Sequence, residues 1–196
     1  MNKNLTKITI TSGLILILYH FLQWYLVELL TPFAMPFLSL TIHGWFFVMF
    51  ILTIIHVIKY KNWKPFVIQI IIIVFWLCTP FTLIYLKLDF IIHKENRTEV
   101  VELINHKELT PNVNHDNRQI HLPKQFATTS KGGGDVRIQH GENGILVFFF
   151  TYRGILDNFS GFIYAPNDVK PNKSDFNSEF KEITKIEKNW YYVSSY

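Results

Sequence analysis

The chain has 196 residues, 49% of them hydrophobic, with a net charge of +4 and one cysteine. A lone Cys78 excludes an intramolecular disulfide and any CxxC redox or zinc motif. The charge is uneven: six lysines face only Glu28 and Asp89 before residue 94, whereas basic and acidic residues balance from 94 onward. The basic surplus therefore flanks apolar segments, and no basic run of the kind nucleic acid requires is present. The wealth of Ile, Phe, Asn and Lys points to an AT-rich bacterial genome.

Three apolar stretches, 8–30, 37–58 and 66–86, are each long enough to cross a hydrocarbon layer, which takes about 20 residues. The fold class expected is thus a three-helix transmembrane bundle over 1–92, followed by a small α+β domain over 93–196. Links at 31–36 and 59–65 carry prolines that interrupt helices, and Pro80 should kink the third helix. The first stretch has Trp24, Tyr25 and Glu28 where a cleavage site would need small residues, so it reads as a retained anchor rather than a signal peptide.

Lysines set the expected orientation. Lys3 and Lys7 precede the first stretch, Lys59, Lys61 and Lys64 fill the second link, and the first link has none. The positive-inside rule then places the N-terminus in the cytoplasm and, after three crossings, the C-terminal domain outside, in a multi-pass protein of the cell membrane. Lys87, Lys94 and Arg97 pull the other way.

Two polar stripes lie within the apolar segments. His20, Gln23, Trp24 and Val27 share one face of the first helix, and Gln69, Trp76 and Thr79 form a stripe on the third. Polar side chains are costly in lipid unless partnered, so His20, Gln23, Gln69 and Thr79 are expected to form a seam inside the bundle, as interhelical glue or as a ligand or proton path. His20 and His43 are the one pair at similar depth that could offer two imidazoles to a haem. His43 and His56 lie about 20 Å apart along one helix and cannot share a metal. They are expected near the interfaces, reaching water or head groups. No HxH, HxxxH or HExxH pattern occurs, so no metal site is expected, and His93, His106, His115, His121 and His140 read as scattered and solvated.

The remaining hundred residues can form one small core. Val100, Val101 and Ile104 make an apolar stripe on a helix expected over 95–108. Strands are expected at 135–139, 145–152 and 159–165, then a hairpin of 179–187 and 190–195 around Lys188 and Asn189. The stretch 145–152 is apolar enough to be a central strand covered on both faces. Phe176, Phe180, Ile183 and Ile186 also fit a helical face, so a helix at 176–187 is the alternative. Gly132, Gly133 and Gly134 follow Lys131 but lack the spacing of a phosphate loop and read as a plain loop. Arg153, Asp157 and Asn158 are a possible polar site at a strand end.

No catalytic residue and no cofactor are indicated. The function expected is a non-enzymatic binding or assembly module on a membrane anchor, with the lipid bilayer and a protein bound through the C-terminal domain as partners and no nucleic acid. A haem-binding redox protein and a membrane enzyme or transporter component are the alternatives.

Overall fold

The computed structural model describes residues 3–114, 116–154 and 158–195. It divides into two compact units between Tyr85 and Leu86.

Four helices come first: α1 (Lys3–Leu30), α2 (Met35–Tyr60), α3 (Lys64–Cys78) and α4 (Phe81–Asn105). Helices α1 and α2 are long and apolar enough to cross a membrane, and α3 with α4 would supply a third span if counted together. The expected third segment, 66–86, is not one helix. It breaks at Thr79 and Pro80, and the two halves are bent by 54°. Proline cannot donate to the carbonyl one turn back, and it forces the residue before it out of the helical region. Thr79 accordingly sits at φ −87°, ψ 119°. The Phe81 N–H turns to the Thr79 carbonyl at 2.9 Å and a new helix starts.

That new helix changes a second expectation. No separate helix begins near 95, because α4 runs unbroken through 86–94 to Asn105. Its end is capped by the N–H groups of Glu108 and Leu109 turning back to the Leu103 carbonyl, with Lys107 in the left-handed region at φ 62°.

The first unit packs α1 closely on α3: a Cβ on Gly13 would lie 2.2 Å from Ile72 Cδ1. Small residues serve this purpose where helices meet in lipid, since apolar burial alone gives no driving force there. Thr9 and Ser12, both buried, return their hydroxyls to the carbonyls of Leu5 and Thr9.

The second unit is an antiparallel sheet of six strands: β1 (Gln119–His121), β2 (Asp135–Gly141), β3 (Gly144–Arg153), β4 (Phe159–Tyr164), β5 (Phe180–Glu187) and β6 (Trp190–Ser195), in the order β1-β2-β3-β4-β6-β5. The alternative helix at 176–187 is not formed; the segment pairs with β6 instead. β1 is the strand that periodicity does not reveal, because three residues are too few to show alternation. β3 is central, as its apolar run implies. One face of the sheet packs Phe148, Phe150, Ile163 and Tyr191 against Phe176 and Phe180 from the loop and the start of β5. The other face carries Val147, Phe149, Phe162 and Trp190, and Phe90 of α4 packs on Phe162 and Trp190, with ring centroids 5.1 and 5.5 Å away. Gly161 is required where β4 passes β3: a Cβ there would lie 2.1 Å from the Phe149 carbonyl oxygen.

An ion pair lies in this second face. Arg97 is fully buried and donates to Asp89 Oδ2 at 2.6 Å, to the Asp89 carbonyl at 3.3 Å and to the Thr129 carbonyl at 2.9 Å. Its guanidinium lies 4.7 Å from the Phe162 ring centre. Asp89 also contacts His93 Nδ1 at 3.3 Å. His93, also 3.0 Å from the Asp89 carbonyl through the same Nδ1, thus packs against Asp89 rather than standing as a scattered solvated histidine.

A buried ion pair is sensitive to the loss of one partner, which strands the other charge away from water. Arg97→Ala should destabilise the sheet unit by about 3–5 kcal/mol, whereas Asp89→Leu with Arg97→Met should recover most of that loss. Denaturant titration of the full chain in detergent, followed by near-UV circular dichroism, measures both.

Candidate functional site

Two places gather polar groups around a cavity, one in each unit. In the first unit, helices α1, α2 and α3 bring His20, His43 and Trp76 together. The two imidazole rings are 5.3 Å apart, edge to face, and each lies 5.4–5.5 Å from the Trp76 ring. Tyr19 and Phe81 complete the group at 5.4 and 5.2 Å from His20. The sequence-level pairing of His20 with His43 is therefore close in space, but the rings touch directly and leave no porphyrin-sized gap between them. His43 Nδ1 lies 2.7 Å from the Ser39 carbonyl, which fixes that nitrogen as the donor. His20 Nε2 is buried and has no hydrogen-bond partner among the described residues. Beside it the break between α3 and α4 opens a cavity of about 340 Å³, lined by His20, Gln23, Trp76, Thr79 and Phe81 among others.

The expected polar seam is thus divided. Gln23 and Thr79 reach this cavity with His20, whereas Gln69 does not. Gln69 is fully buried, accepts from Thr53 Oγ1 at 2.8 Å and donates to the Phe46 carbonyl at 3.4 Å. It is glue between α2 and α3, and the sequence stripe missed its partner because Thr53 lies on another helix. His56, expected to reach water or head groups, is instead buried, with Asn62 Nδ2 3.4 Å from its Nε2.

Of the candidate site of Arg153, Asp157 and Asn158 in the second unit, the structure describes Arg153 and Asn158. Asp157 lies outside the described residues. Arg153 turns to Asp135 Oδ2 and the Gly132 carbonyl, each at 3.3 Å, and its guanidinium stacks 3.9 Å from the Phe150 ring centre. Burial lowers the Arg153 pKa from its ordinary value, and the Asp135 charge opposes the shift. Asn158 is exposed and accepts the Gly154 N–H through its backbone carbonyl. The three glycines 132–134 all have positive φ and lead into β2, not into a helix. Asp135 is the hub here, since it also accepts from Gln119 at 2.7 Å and meets His121 Nδ1 at 2.8 Å. The sequence hid this cluster because its members come from three strands.

A pocket of about 350 Å³ opens elsewhere on the unit, between the 141–144 turn and the 165–175 loop. Its walls carry the amides Gln139, Asn143 and Asn172 and the apolar Leu146, Pro166 and Val169. Both ends of the loop are held by carboxylates. Asp175 accepts from Gln139 Nε2 at 2.9 Å and from the Asn172 N–H at 2.7 Å. Gln139 Oε1 in turn accepts the Phe176 N–H. Asp168 pairs with Lys185, accepts the Asn189 N–H at 2.9 Å, and its carbonyl accepts from Tyr191 Oη at 2.8 Å. Two pairs of non-glycine residues on this loop, Asn167 with Asp168 and Phe176 with Asn177, lie in the left-handed region. For a bulky buried residue such as Phe176, at φ 60°, that conformation is costly and persists only because its surroundings hold it.

Among the described residues no group of three histidine, cysteine or acidic side chains is placed to hold a metal. No family model, curated protein or solved structure matches this chain.

The Lys185 hydrogen bond holds the Asp168 carboxyl below its usual range, and the same bond raises the Lys185 pKa. The depressed carboxyl contributes stability that is present above the ordinary carboxylate range and lost as pH falls through its folded value. The raised lysine contributes stability that is present below the ordinary lysine range and lost as pH rises through its folded value. Asp168→Asn should flatten both limbs of a plot of melting temperature against pH, leaving the neutral fold intact by circular dichroism.

Proposed function

We propose that the chain is a multi-pass protein of the cell membrane whose extracytoplasmic sheet domain is a non-enzymatic binding module for a protein partner. The membrane reading is supported by the apolar helices near the N-terminus and by the lysines that flank them. The observation that carries the binding reading is the loop at 165–178, whose strained turns are fixed around a pocket by Asp168 and Asp175. Strain of this kind collects where a rigid shape is needed, and a preorganised pocket avoids ordering costs on association. Amide walls with aliphatic floors suit a short polar stretch of another chain, whose backbone groups the amides can pair with.

A photo-cross-linking residue at Asn143 or Val169 should join the protein to one discrete partner in native membranes, and the same residue at Glu102 should not. Adding Gln139→Ala, which releases Asp175 and the Phe176 N–H, should sharply lower the yield. Equal, diffuse labelling at all three positions would contradict the proposal. Protease added to intact cells should remove the C-terminal half; its survival would reverse the orientation.

A second reading rests on His20 Nε2. A buried ring nitrogen without a partner, beside a cavity at a helix break, favours a small lipid-soluble ligand with a hydrogen-bonding group, as in an intramembrane carrier or enzyme component. His20→Phe and Gln23→Leu should then weaken saturable quenching of tryptophan fluorescence by a short-chain naphthoquinone. Quenching that never saturates would remove this reading.

A further inference from the structure

We infer that the sheet domain rests its turn end on the lipid head groups, so that the partner its pocket receives is itself membrane-borne. This builds on the membrane-spanning reading above and on the pocket as the binding site. Helix α4 carries the observation. On one face it exposes Leu88, Ile91 and Ile92 at 53%, 69% and 70%. The same face continues one turn on with Glu95, then Glu99 and Glu102, all exposed. A change from large aliphatics to acids within a single turn of one helix face marks a boundary between two solvents, because an aliphatic stripe is favoured in hydrocarbon and a carboxylate in water. The occupant that fits the stripe is hydrocarbon, since the three aliphatics continue the largely apolar 81–86, broken on the exposed side by Lys87, whose long stem lets its charge reach the interface, and give way on the same face to Glu95, Glu99 and Glu102.

The opposite face packs on the domain itself through Phe90 and, two turns on, Arg97. Phe90 meets Trp190, the first residue of β6, and Lys94 Nζ bonds Glu187, the last residue of β5, at 2.7 Å. In an antiparallel sheet β4 ends and β3 begins at that same end, at Tyr164 and Gly144. Phe90 precedes the solvent boundary on α4, so this end of the sheet stands level with the interface. Tyr164, half-buried beside the buried Trp190 with ring centroids 5.4 Å apart, is a residue type favoured at that depth. Exposed Lys170 and Lys188 lie on the loops of the same end, where anionic head groups attract them. The 141–144 turn and the loop from Pro166 that rim the pocket share this end. A ligand entering there approaches along the membrane surface.

Site-directed spin labels test this in the full chain with Cys78→Ser, reconstituted in liposomes of phosphatidylglycerol and phosphatidylcholine. Single cysteines replace Leu52, Ile91, Ile92, Glu102, Asn143 and Lys188 in turn. The expected result is a severalfold higher ratio of oxygen to aqueous nickel-chelate accessibility at 52, 91 and 92 than at 102, with 143 and 188 intermediate. If 52 favours oxygen while 91 and 92 match 102, the domain stands clear of the bilayer and the inference fails with the membrane reading intact. If 143 and 188 match 102, the turn end is not seated and the inference also fails. Spin–spin coupling with exclusion of both reagents at 91 and 92 would assign the stripe to a second copy instead. A water-exposed 52 would overturn the membrane reading, and this inference with it.

Discussion

The sheet unit is organised around one buried ion pair. Asp89 and Arg97 are two turns apart on α4, and the guanidinium spans from one helical carboxylate to the Thr129 carbonyl while its flat face lies on Phe162. An arginine can do this because its planar fork offers several donors at fixed angles and its face tolerates an aromatic ring. A lysine would leave the carbonyl or the carboxylate unsatisfied. The pair is costly to bury, and the bonds to Asp89 and Thr129 that offset this cost specify one rotation of α4 against the sheet. With that rotation set, Val100, Val101 and Ile104 point inward, and Leu88, Ile91 and Ile92 point outward.

Much of this could be read from residues alone, for reasons that differ between elements. Strand β2 alternates and β3 runs apolar, so their period is visible, whereas Phe180, Ile183 and Ile186 of β5 fall at helical spacing and only pairing with β6 makes the segment a strand. The stripe at Val100, Val101 and Ile104 gave the inner face of α4. Arg97 and Asp89 misled, because charges flanking an apolar segment look like orientation signals; only three-dimensional packing turns them into a core pair. The helix break at Pro80 was foreseeable as a kink, but continuous helix through 86–94 was not, since charged and apolar residues alternate there without a clear stop. The pocket loop was invisible. Its conformation depends on Asp168 and Asp175 reaching strands far away in sequence, and a phenylalanine in the left-handed region contradicts local preference.

The polar residues of the first unit show how differently similar signals resolve. Gln69 and His20 look alike in sequence, each a polar group in an apolar run. Gln69 finds Thr53 and the Phe46 carbonyl and is satisfied. His20 finds aromatic rings and leaves Nε2 without a partner among the described residues. Neighbouring helices, not the residue's own helix, decide whether a polar group in an apolar helix is glue or an open valence.

Everything else in the sheet unit depends on α4 being one helix held to the sheet by its buried arginine. Amide hydrogen exchange of the reconstituted full chain tests it directly. The account predicts protection that continues without a gap from Leu86 to Ile104 and that drops over this whole stretch when Arg97 is replaced. Fast exchange confined to 87–94 in the unaltered protein, the behaviour of a flexible tether, would contradict it.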